Sequence, residues 1–268
     1  MSFADYYVSP HGNDEWSGVL EFPNADQTDG PFATLERARR AVRDRIDTGL
    51  ERDIQVFVRG GVYEVTEPIV FDSNDSPGER FSVRYMAYPG EKPVFTASIP
   101  LDGWRKPGQD EVHEGLDDDV ATHIFVADGE SVPDQVDSLF DERGRLPRAR
   151  AEGFIPEQPE TEEEIDKSTL HFPEGAMRNW PHLDDVELVI RPSHPWVLNR
   201  LPVSEIDEET GVVRTGLPGT YKLLPTWGGD TEDEPSAWVE NVPEGLTAPG
   251  DWMFDGRDGR VYLWPRSG

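Results

Sequence analysis

The stretch that decides the fold is Ile54-Gln-Val-Phe-Val-Arg-Gly-Gly-Val-Tyr-Glu-Val65. From residue 54 the apolar side chains follow a period of two, which is the period of a β-strand. Gly60 and Gly61 end this run, and a second strand-like segment over residues 62–65 leads to a third over residues 68–71. The stretch therefore predicts short strands that are separated by glycine and proline turns.

More strands of similar length follow toward the C-terminus. Residues 81–88 form one segment, which Pro89-Gly90 ends, and residues 93–99 form another, which Pro100 ends. Short strands separated by turn residues favour a β-solenoid, a sandwich or a barrel. No strict repeat is visible, and this decides little because solenoid coils often diverge in sequence.

One helix is predicted on the N-terminal side of these strands. Apolar residues recur there at steps of three and four, at Leu35, Ala38, Val42 and Ile46. Thr34 is placed to cap the N-terminus of this helix, and Gly49 is placed to end it. A single helix before the strands fits a solenoid whose first coil needs its open end covered.

The chain is strongly acidic. It has 54 acidic and 25 basic residues in 268, a formal net charge of -29 at pH 7. This charge repels nucleic-acid phosphate and anionic lipid head groups, so we expect neither nucleic acid nor membrane as a partner. It also weakens a compact state unless salt screens it, so we interpret the chain as a halophile's protein. An acidic mesophilic protein is the alternative.

No segment has the pattern of an export signal or a membrane anchor. The N-terminus, Met1-Ser-Phe-Ala-Asp-Tyr-Tyr-Val8, lacks a basic flank followed by an apolar core. No run approaches the ~18 apolar residues that span a bilayer. We therefore expect a cytoplasmic protein, or an extracellular one if a leader is missing. Because there are no cysteines, disulfides, thiol nucleophiles and cysteine zinc sites are excluded.

A change in composition near residue 101 predicts a second domain, so we divide the chain into residues 1–100 and 101–268. Six of the eight tryptophans lie in the last ninety residues. We expect an all-β unit here, with strands over residues 186–191, 212–214, 238–240, 252–255 and 261–264. The last two form the clearest hairpin, because Asp258-Gly259 supplies the positive φ of a tight turn.

Short motifs occur in a fixed order along most of the chain. They are Tyr6-Tyr-Val-Ser-Pro-His-Gly12, Gly30-Pro-Phe-Ala-Thr-Leu-Glu-Arg-Ala38, Val58-Arg-Gly-Gly-Val-Tyr63, Tyr88-Pro-Gly-Glu-Lys-Pro-Val94, Gly103-Trp104, Leu146-Pro-Arg-Ala-Arg150, Pro249-Gly-Asp-Trp-Met-Phe-Asp255 and Gly259-Arg-Val-Tyr-Leu-Trp-Pro265. Together they resemble the beginning of right-handed parallel β-helix carbohydrate-active proteins, which include glycoside hydrolases and pectate-lyase-like proteins.

The resemblance implies an all-β fold in two parts. Residues 1–100 would hold the capping helix and the first coils of a right-handed parallel β-helix, and residues 101–268 a β-sandwich-like inserted domain, after which the β-helix would resume. An antiparallel sandwich alone is the other fold we consider. A β-helix that stopped here would expose an end coil, through which the chain could self-associate.

The resemblance also implies that the catalytic residues lie elsewhere. In glycoside hydrolases of this type the catalytic carboxylates lie on later coils, so we assign no catalytic residue in this chain. Runs such as Asp117-Asp118-Asp119 and Glu162-Glu163-Glu164 read as solvated surface, since no apolar neighbour raises a carboxyl pKa there. Asp128 and Asp255 flank strand-like segments and are more distinctive, although Asp255 reads first as a hairpin residue.

Neither a metal nor a cofactor is predicted. The six histidines lack the spacing of metal ligands, and no phosphate loop or nucleophile elbow is present. Aromatic rings stack on sugar faces, so the candidate substrate-binding residues are Trp180, Trp196 and Trp227, each next to proline or glycine. Packing in the core of an all-β domain is the alternative for each of them.

Two functions follow from these observations, both with carbohydrate as the partner. In the first, the chain is the N-terminal portion of a halophile's β-helix glycoside hydrolase, or less favourably a polysaccharide lyase, and does not itself catalyse. In the second, it is a complete, non-enzymatic carbohydrate-binding or surface module.

Overall fold

The computed structural model describes residues 4–129, 132–159, 161–180, 182–194, 196–226 and 234–266. Two compact units are present, Met1–Ile99 and Pro100–Gly268. Strands account for most of the regular structure, and the described residues contain two α-helices. The all-β fold class expected from the sequence is therefore confirmed.

The first unit is built from parallel strands. Its elements are β1 (Tyr6–Val8), α1 (Leu35–Thr48), β2 (Ile54–Val58), β3 (Gly61–Glu64), β4 (Val83–Ala87) and β5 (Pro93–Thr96), with a 3₁₀ turn at Ser73–Asp75. The strands β1, β2 and β4 form one parallel sheet in that order, and β3 pairs with β5 in parallel in another. Val8, Val58 and Ala87 are aligned across the first sheet, and Phe32 bridges Val8 on its other side, also in parallel.

Helix α1 has the boundaries that the sequence predicts. The Thr34 side chain accepts a hydrogen bond from the Arg37 backbone N–H, and Gly49 ends the helix with a φ of 94°. Only glycine adopts such a backbone without strain. The small apolar face of the helix, Ala38 and Val42, is buried in one cluster with Phe32 and the inward side chains of β1 and β2. The helix thereby covers apolar side chains that the parallel strands would otherwise expose.

The second unit is antiparallel. Its elements are α2 (Asp118–Ala121), β6 (Phe125–Ala127), β7 (Phe140–Asp141), β8 (Gly144–Arg145), β9 (Thr169–His171), β10 (Glu187–Ile190), β11 (Asn199–Asp207), β12 (Val212–Thr215), β13 (Ala237–Glu240), β14 (Trp252–Asp255) and β15 (Arg260–Leu263), with 3₁₀ turns at Gln109–Glu111, Glu162–Glu164 and Pro243–Gly245. A five-stranded sheet has the order β13-β10-β11-β12-β9, and a three-stranded sheet has the order β14-β15-β6. The strands β7 and β8 form a small hairpin.

The five-stranded sheet buries one face. Leu188, Leu201 and Val239 are cross-strand neighbours on β10, β11 and β13, and all three are buried. They belong to the largest apolar cluster of the unit. The side chains that alternate with them along β10 and β13, Glu187 and Glu240, point to the opposite face, as the period of two along a strand requires.

The three-stranded sheet is covered on both faces. Met253 and Tyr262 lie in one apolar cluster, whereas their chain neighbours Trp252 and Val261 lie in another. The predicted hairpin is present: β14 and β15 pair antiparallel, and Gly259 in the connection has a φ of 61°.

The structure also departs from the expected strands. Residues 68–71 form no strand, whereas the longest strand, β11, lies in a stretch for which no strand was predicted. Pro202 lies within β11 and polar residues occupy much of its exposed face, so its sequence lacks the apolar pattern of the other strands. Among the described residues, no helix combines the length and the apolar character needed to cross a membrane.

Candidate functional site

Trp196 lies on the surface of the second unit. It is 73% exposed, and it is the one tryptophan among the described residues whose side chain is mainly in solvent. It lies in the loop that connects β10 to β11. Its indole offers solvent a large apolar face with one N–H donor.

The base of this loop is held rigidly. The Arg191 backbone N–H donates to the Ser236 carbonyl over 2.8 Å, and the Thr226 hydroxyl donates to the Arg191 carbonyl over 2.8 Å. Pro192 and Ser193 are buried beneath the surface. These bonds therefore hold the start of the loop, on the N-terminal side of Trp196.

Two further rings complete an aromatic cluster, defined here as His194, Trp196 and Tyr221. The His194 imidazole lies nearly parallel to the Tyr221 ring, with centroids 4.0 Å apart. Trp196 meets the same imidazole edge-on, with centroids 4.8 Å apart. A second anchor holds Tyr221 in place, since the Thr220 backbone N–H donates to Asn199 Oδ1 over 3.0 Å. The cluster is a partly exposed apolar surface with polar edges.

The other two predicted substrate-binding tryptophans have different outcomes. Trp180 is only 5% exposed and packs in the largest apolar cluster of the unit, and its Nε1 donates to Glu244 Oε1 over 2.9 Å. Trp180 also lines a small cavity. Trp227 lies outside the described residues.

The two distinctive carboxylates of the sequence are held by arginines. Asp128 accepts a hydrogen bond from Arg105 over 2.6 Å, and the same guanidinium holds the pKa of Glu111 at about 2. Asp255 accepts hydrogen bonds from the Arg257 backbone and side chain in the β14–β15 hairpin. Both carboxylates therefore have structural partners. The acidic run at residues 117–119 is exposed, as the sequence predicted.

An ion-pair network that the sequence analysis missed lies on the second face of the five-stranded sheet. Glu187 and Glu240 are cross-strand neighbours, Arg200 donates to Glu240 over 2.8 Å, and Arg148 donates to Glu187. Burial raises the pKa of Glu187, and the two arginines oppose that rise. The strand alternation could have indicated this face, but the pairing with Arg148 comes from a segment 39 residues away.

Metal ligation has no support in the described ranges. No group of three or more histidine, aspartate or glutamate side chains in them is arranged to hold a metal ion. Two of the histidines stack on aromatic rings: His123 on Trp264, with centroids 4.5 Å apart, and His194 on Tyr221 in the aromatic cluster.

Comparison with known proteins gives one structural likeness. No protein-family model matches the chain. No curated protein matches it either. A solved structure described as "Glycoside hydrolase" superposes with a TM-score of 0.70 at 23% sequence identity, over 98% of this chain and 43% of that chain. The likeness concerns the fold, and this chain spans less than half the length of that protein.

Proposed function

We propose that this chain is the N-terminal portion of a β-helix glycoside hydrolase-like protein that acts on polysaccharide or oligosaccharide. In this proposal the segment supports the fold and contacts carbohydrate, and it contributes no catalytic carboxylate. The observation that carries the proposal is the structural likeness, in which nearly the whole chain superposes on 43% of a glycoside hydrolase.

The parallel strands of the first unit support the β-helix. Phe32, β1, β2 and β4 follow one another across one parallel sheet, and β3 and β5 repeat the arrangement in a second. In both sheets the step to the neighbouring strand, from Ile54 to Val83 and from Gly61 to Pro93, is about one coil's length of chain, which is typical of a solenoid. We infer that α1 caps its first coil and that the antiparallel second unit is the β-sandwich-like insertion.

The carboxylates of the described residues support a non-catalytic segment. Glycoside hydrolysis uses two carboxyl groups about 5–9.5 Å apart, one of which has a raised pKa. Among the described residues, Glu187 is the one carboxyl whose pKa is clearly raised, and Arg148 and Arg200 surround it. Both guanidinium groups contact Glu187 Oε2 and oppose the rise that burial causes, so this carboxyl is engaged in ion pairs and is not free to act as a general acid.

The aromatic cluster is the proposed carbohydrate contact. Trp196 offers an exposed indole face beside the stacked pair of His194 and Tyr221. Apolar ring faces suit the C–H faces of sugars, and the ring nitrogens and the phenol at the edges can hydrogen-bond hydroxyls. A complete carbohydrate-binding module without catalysis is the second candidate function, and the exposure of Trp196 on an anchored loop favours it.

Polysaccharide pull-down in molar KCl tests the carbohydrate contact. We expect retention by at least one polysaccharide and a loss of affinity of tenfold or more in Trp196→Ala, which corresponds to about 1.4 kcal/mol. Phe140→Ala is the matched control, because it removes another exposed aromatic ring of the same unit. Equal retention of both variants, or no retention of the parent, would refute the contact.

The mass of the native polypeptide separates the two candidate functions. A mass well above the 30.2 kDa of these 268 residues, with hydrolase activity in the long form and none in the 268-residue segment, supports the enzyme. A native mass of 30.2 kDa with glycan binding and no hydrolysis supports the module.

A further inference from the structure

A small cavity opens in the second unit, apart from the aromatic cluster. It lies where the end of β14 meets the segment before β10 and the loop around residue 114, and its lining includes His113, Trp180, Asp185 and Asp255. Its volume is about 320 Å³. Ligand pockets range over about 300–1,000 Å³, so this one suits a single ring and not an oligomer.

The His113 imidazole has a defined tautomer in this cavity. The Gly115 backbone N–H donates to His113 Nδ1 over 3.1 Å, so Nδ1 carries no proton and the neutral ring carries its proton on Nε2. Burial lowers the pKa of His113, which keeps the ring neutral at pH 7. Gly115 itself packs against Pro243, where a Cβ would come within 2.4 Å of the proline ring. His113 is therefore a fixed N–H donor.

An acceptor faces this donor across a gap. His113 Nε2 lies 3.8 Å from Asp255 Oδ2, which is too long for a hydrogen bond. The Asp255 carboxylate is held in place by the Arg257 backbone N–H over 3.0 Å and by its guanidinium over 2.9 Å. The carboxylate thus acts as an acceptor, set against a nitrogen that can only donate.

A hydroxyl group matches this pair. Placed beside the pair, within hydrogen-bond distance of both atoms, a hydroxyl oxygen accepts from His113 Nε2–H and donates its own proton to Asp255 Oδ2. A carboxylate cannot donate and an ammonium cannot accept, so neither satisfies both partners. Trp180, Met253 and Phe254 line the same cavity, and apolar lining suits the C–H face of a ring.

The charges of the lining select against acidic sugars. Three carboxylates line the cavity, at Glu114, Asp185 and Asp255, against the single arginine Arg178. Arg178 is already paired with Glu244 over 3.0 Å. Asp255 is paired with Arg257, so the repulsion that a uronate meets comes mainly from Glu114 and Asp185, and a neutral sugar avoids it.

We propose that this cavity binds one neutral monosaccharide unit through a hydroxyl bridged between His113 and Asp255. The proposal rests on the proposed function for the ligand class, carbohydrate, and adds a second site to the aromatic cluster. The two sites use different residues, so they can fail independently.

Saturation-transfer NMR in molar KCl tests the site, with D-glucose, D-galactose, D-mannose and D-xylose as probes and D-glucuronate as the charged comparison. We expect at least one neutral sugar to bind, with D-glucuronate tenfold weaker or worse. His113→Phe keeps a planar ring and removes the N–H, so its affinity for the neutral sugar should fall at least tenfold. Phe140→Ala, which removes an exposed ring outside both sites, is the matched control and should bind the monosaccharide as the parent does.

The outcomes separate this site from the aromatic cluster. Loss of monosaccharide binding in His113→Phe, with polysaccharide retention unchanged, supports the cavity as a second site. No binding of any neutral probe, or unchanged binding in His113→Phe, overturns the cavity even if Trp196→Ala abolishes polysaccharide retention. Should His113→Phe not fold, the ¹⁵N shift of His113 Nε2 in the parent is measured instead. It must change on saturation with the neutral sugar, and a constant shift overturns the proposal.

Discussion

Tyr63 and Phe95 occupy the same register position of two parallel strands, and their rings stack with centroids 5.0 Å apart and an angle of 22° between planes. The pair is asymmetric. Tyr63 is buried, whereas Phe95 on β5 is 43% exposed at the end of its sheet. The stack therefore has one free ring face, and the strand that carries it offers its backbone groups to a further strand.

This open face predicts that the 268-residue chain self-associates. Val94 and Ile99 are exposed beside Phe95, and such an apolar edge pairs readily with a second copy. Light scattering in molar KCl should give a mass that rises with concentration. Phe95→Lys should shift the equilibrium toward monomer by tenfold or more, because it places a charge on the stacking face.

Val19→Lys is the control for self-association. Val19 is an exposed apolar residue of the same unit, so its substitution adds the same charge away from β5. A parent chain that stays monomeric at millimolar concentration would contradict the prediction, as would equal effects of the two lysines.

The ion pairs between α1 and the 3₁₀ turn at Ser73–Asp75 predict that acid lowers the stability of the first unit. Arg39 and Arg43 of the helix both donate to the buried Asp75 carboxylate, over 3.1 and 2.7 Å. The hydrogen bond from Arg43 is the main reason that the pKa of Asp75 falls to about 2. An unfolded aspartate has a pKa of about 3.9, so the stabilisation is complete above about pH 4 and is lost as the pH falls toward 2.

The variant Asp75→Asn measures how much these ion pairs contribute to stability. The amide cannot pair with two guanidinium groups, and Arg43 keeps partial access to water, so we expect a loss of about 1 kcal/mol. In a unit of about 100 residues that loss lowers the Tm by ~4–8 °C. The difference from the parent should vanish near pH 2. Asp44→Asn, on the exposed side of the same helix, should leave the Tm unchanged. A pH-independent difference would mean that the ion pairs are not its cause.

Salt should control folding through the net charge of -29. The Debye length is about 3 Å at 1 M salt and about 30 Å at 0.01 M, so the mutual repulsion of carboxylates is screened only in the first case. Far-UV circular dichroism should report a folded β-rich chain in 1 M KCl and a loss of structure on dialysis to 10 mM. Identical spectra at the two KCl concentrations would contradict the interpretation of this chain as a halophile's protein.

The elements that sequence reasoning found are those with a local cause. The cap at Thr34, the stop at Gly49 and the spacing of the buried helix face all act within one helix, and the helix lies where they place it. The β14–β15 hairpin is equally local, because its turn residues set its register.

The features that sequence reasoning missed depend on contacts between residues that are far apart in the sequence. Nothing in the local sequence of Val8 specifies that it aligns with Val58 and Phe32. The same holds for the tryptophans: Trp180 and Trp196 have similar flanking residues, yet one is buried and the other exposed. Which strands come together decides which side chains are buried. Local composition could therefore identify these tryptophans as candidates, but it could not predict which of them is exposed.

Asn241 is a further residue whose role is defined only by the fold. We expect its substitution to cause a large loss of stability. It follows β13, is almost fully buried and has a φ of 65°. Its Oδ1 accepts from the Phe254 N–H over 2.8 Å, and its Nδ2 donates to the Phe254 carbonyl over 2.7 Å. The side chain thus replaces a neighbouring strand for both backbone groups of one residue in β14.

Removing the Asn241 amide should lower the free energy of unfolding, because the lost hydrogen bonds outweigh the relief of strain at the positive φ. Asn241→Gly accepts the positive φ but leaves both Phe254 groups unpaired in the interior, so we expect a loss of about 2–4 kcal/mol in the free energy of unfolding, measured with urea in molar KCl. Asn241→Ala should lose roughly 1 kcal/mol more, because alanine also resists that backbone. Asn241→Asp keeps the size and the acceptor and should fall between parent and glycine variant. A glycine variant as stable as the parent would show that water replaces the amide.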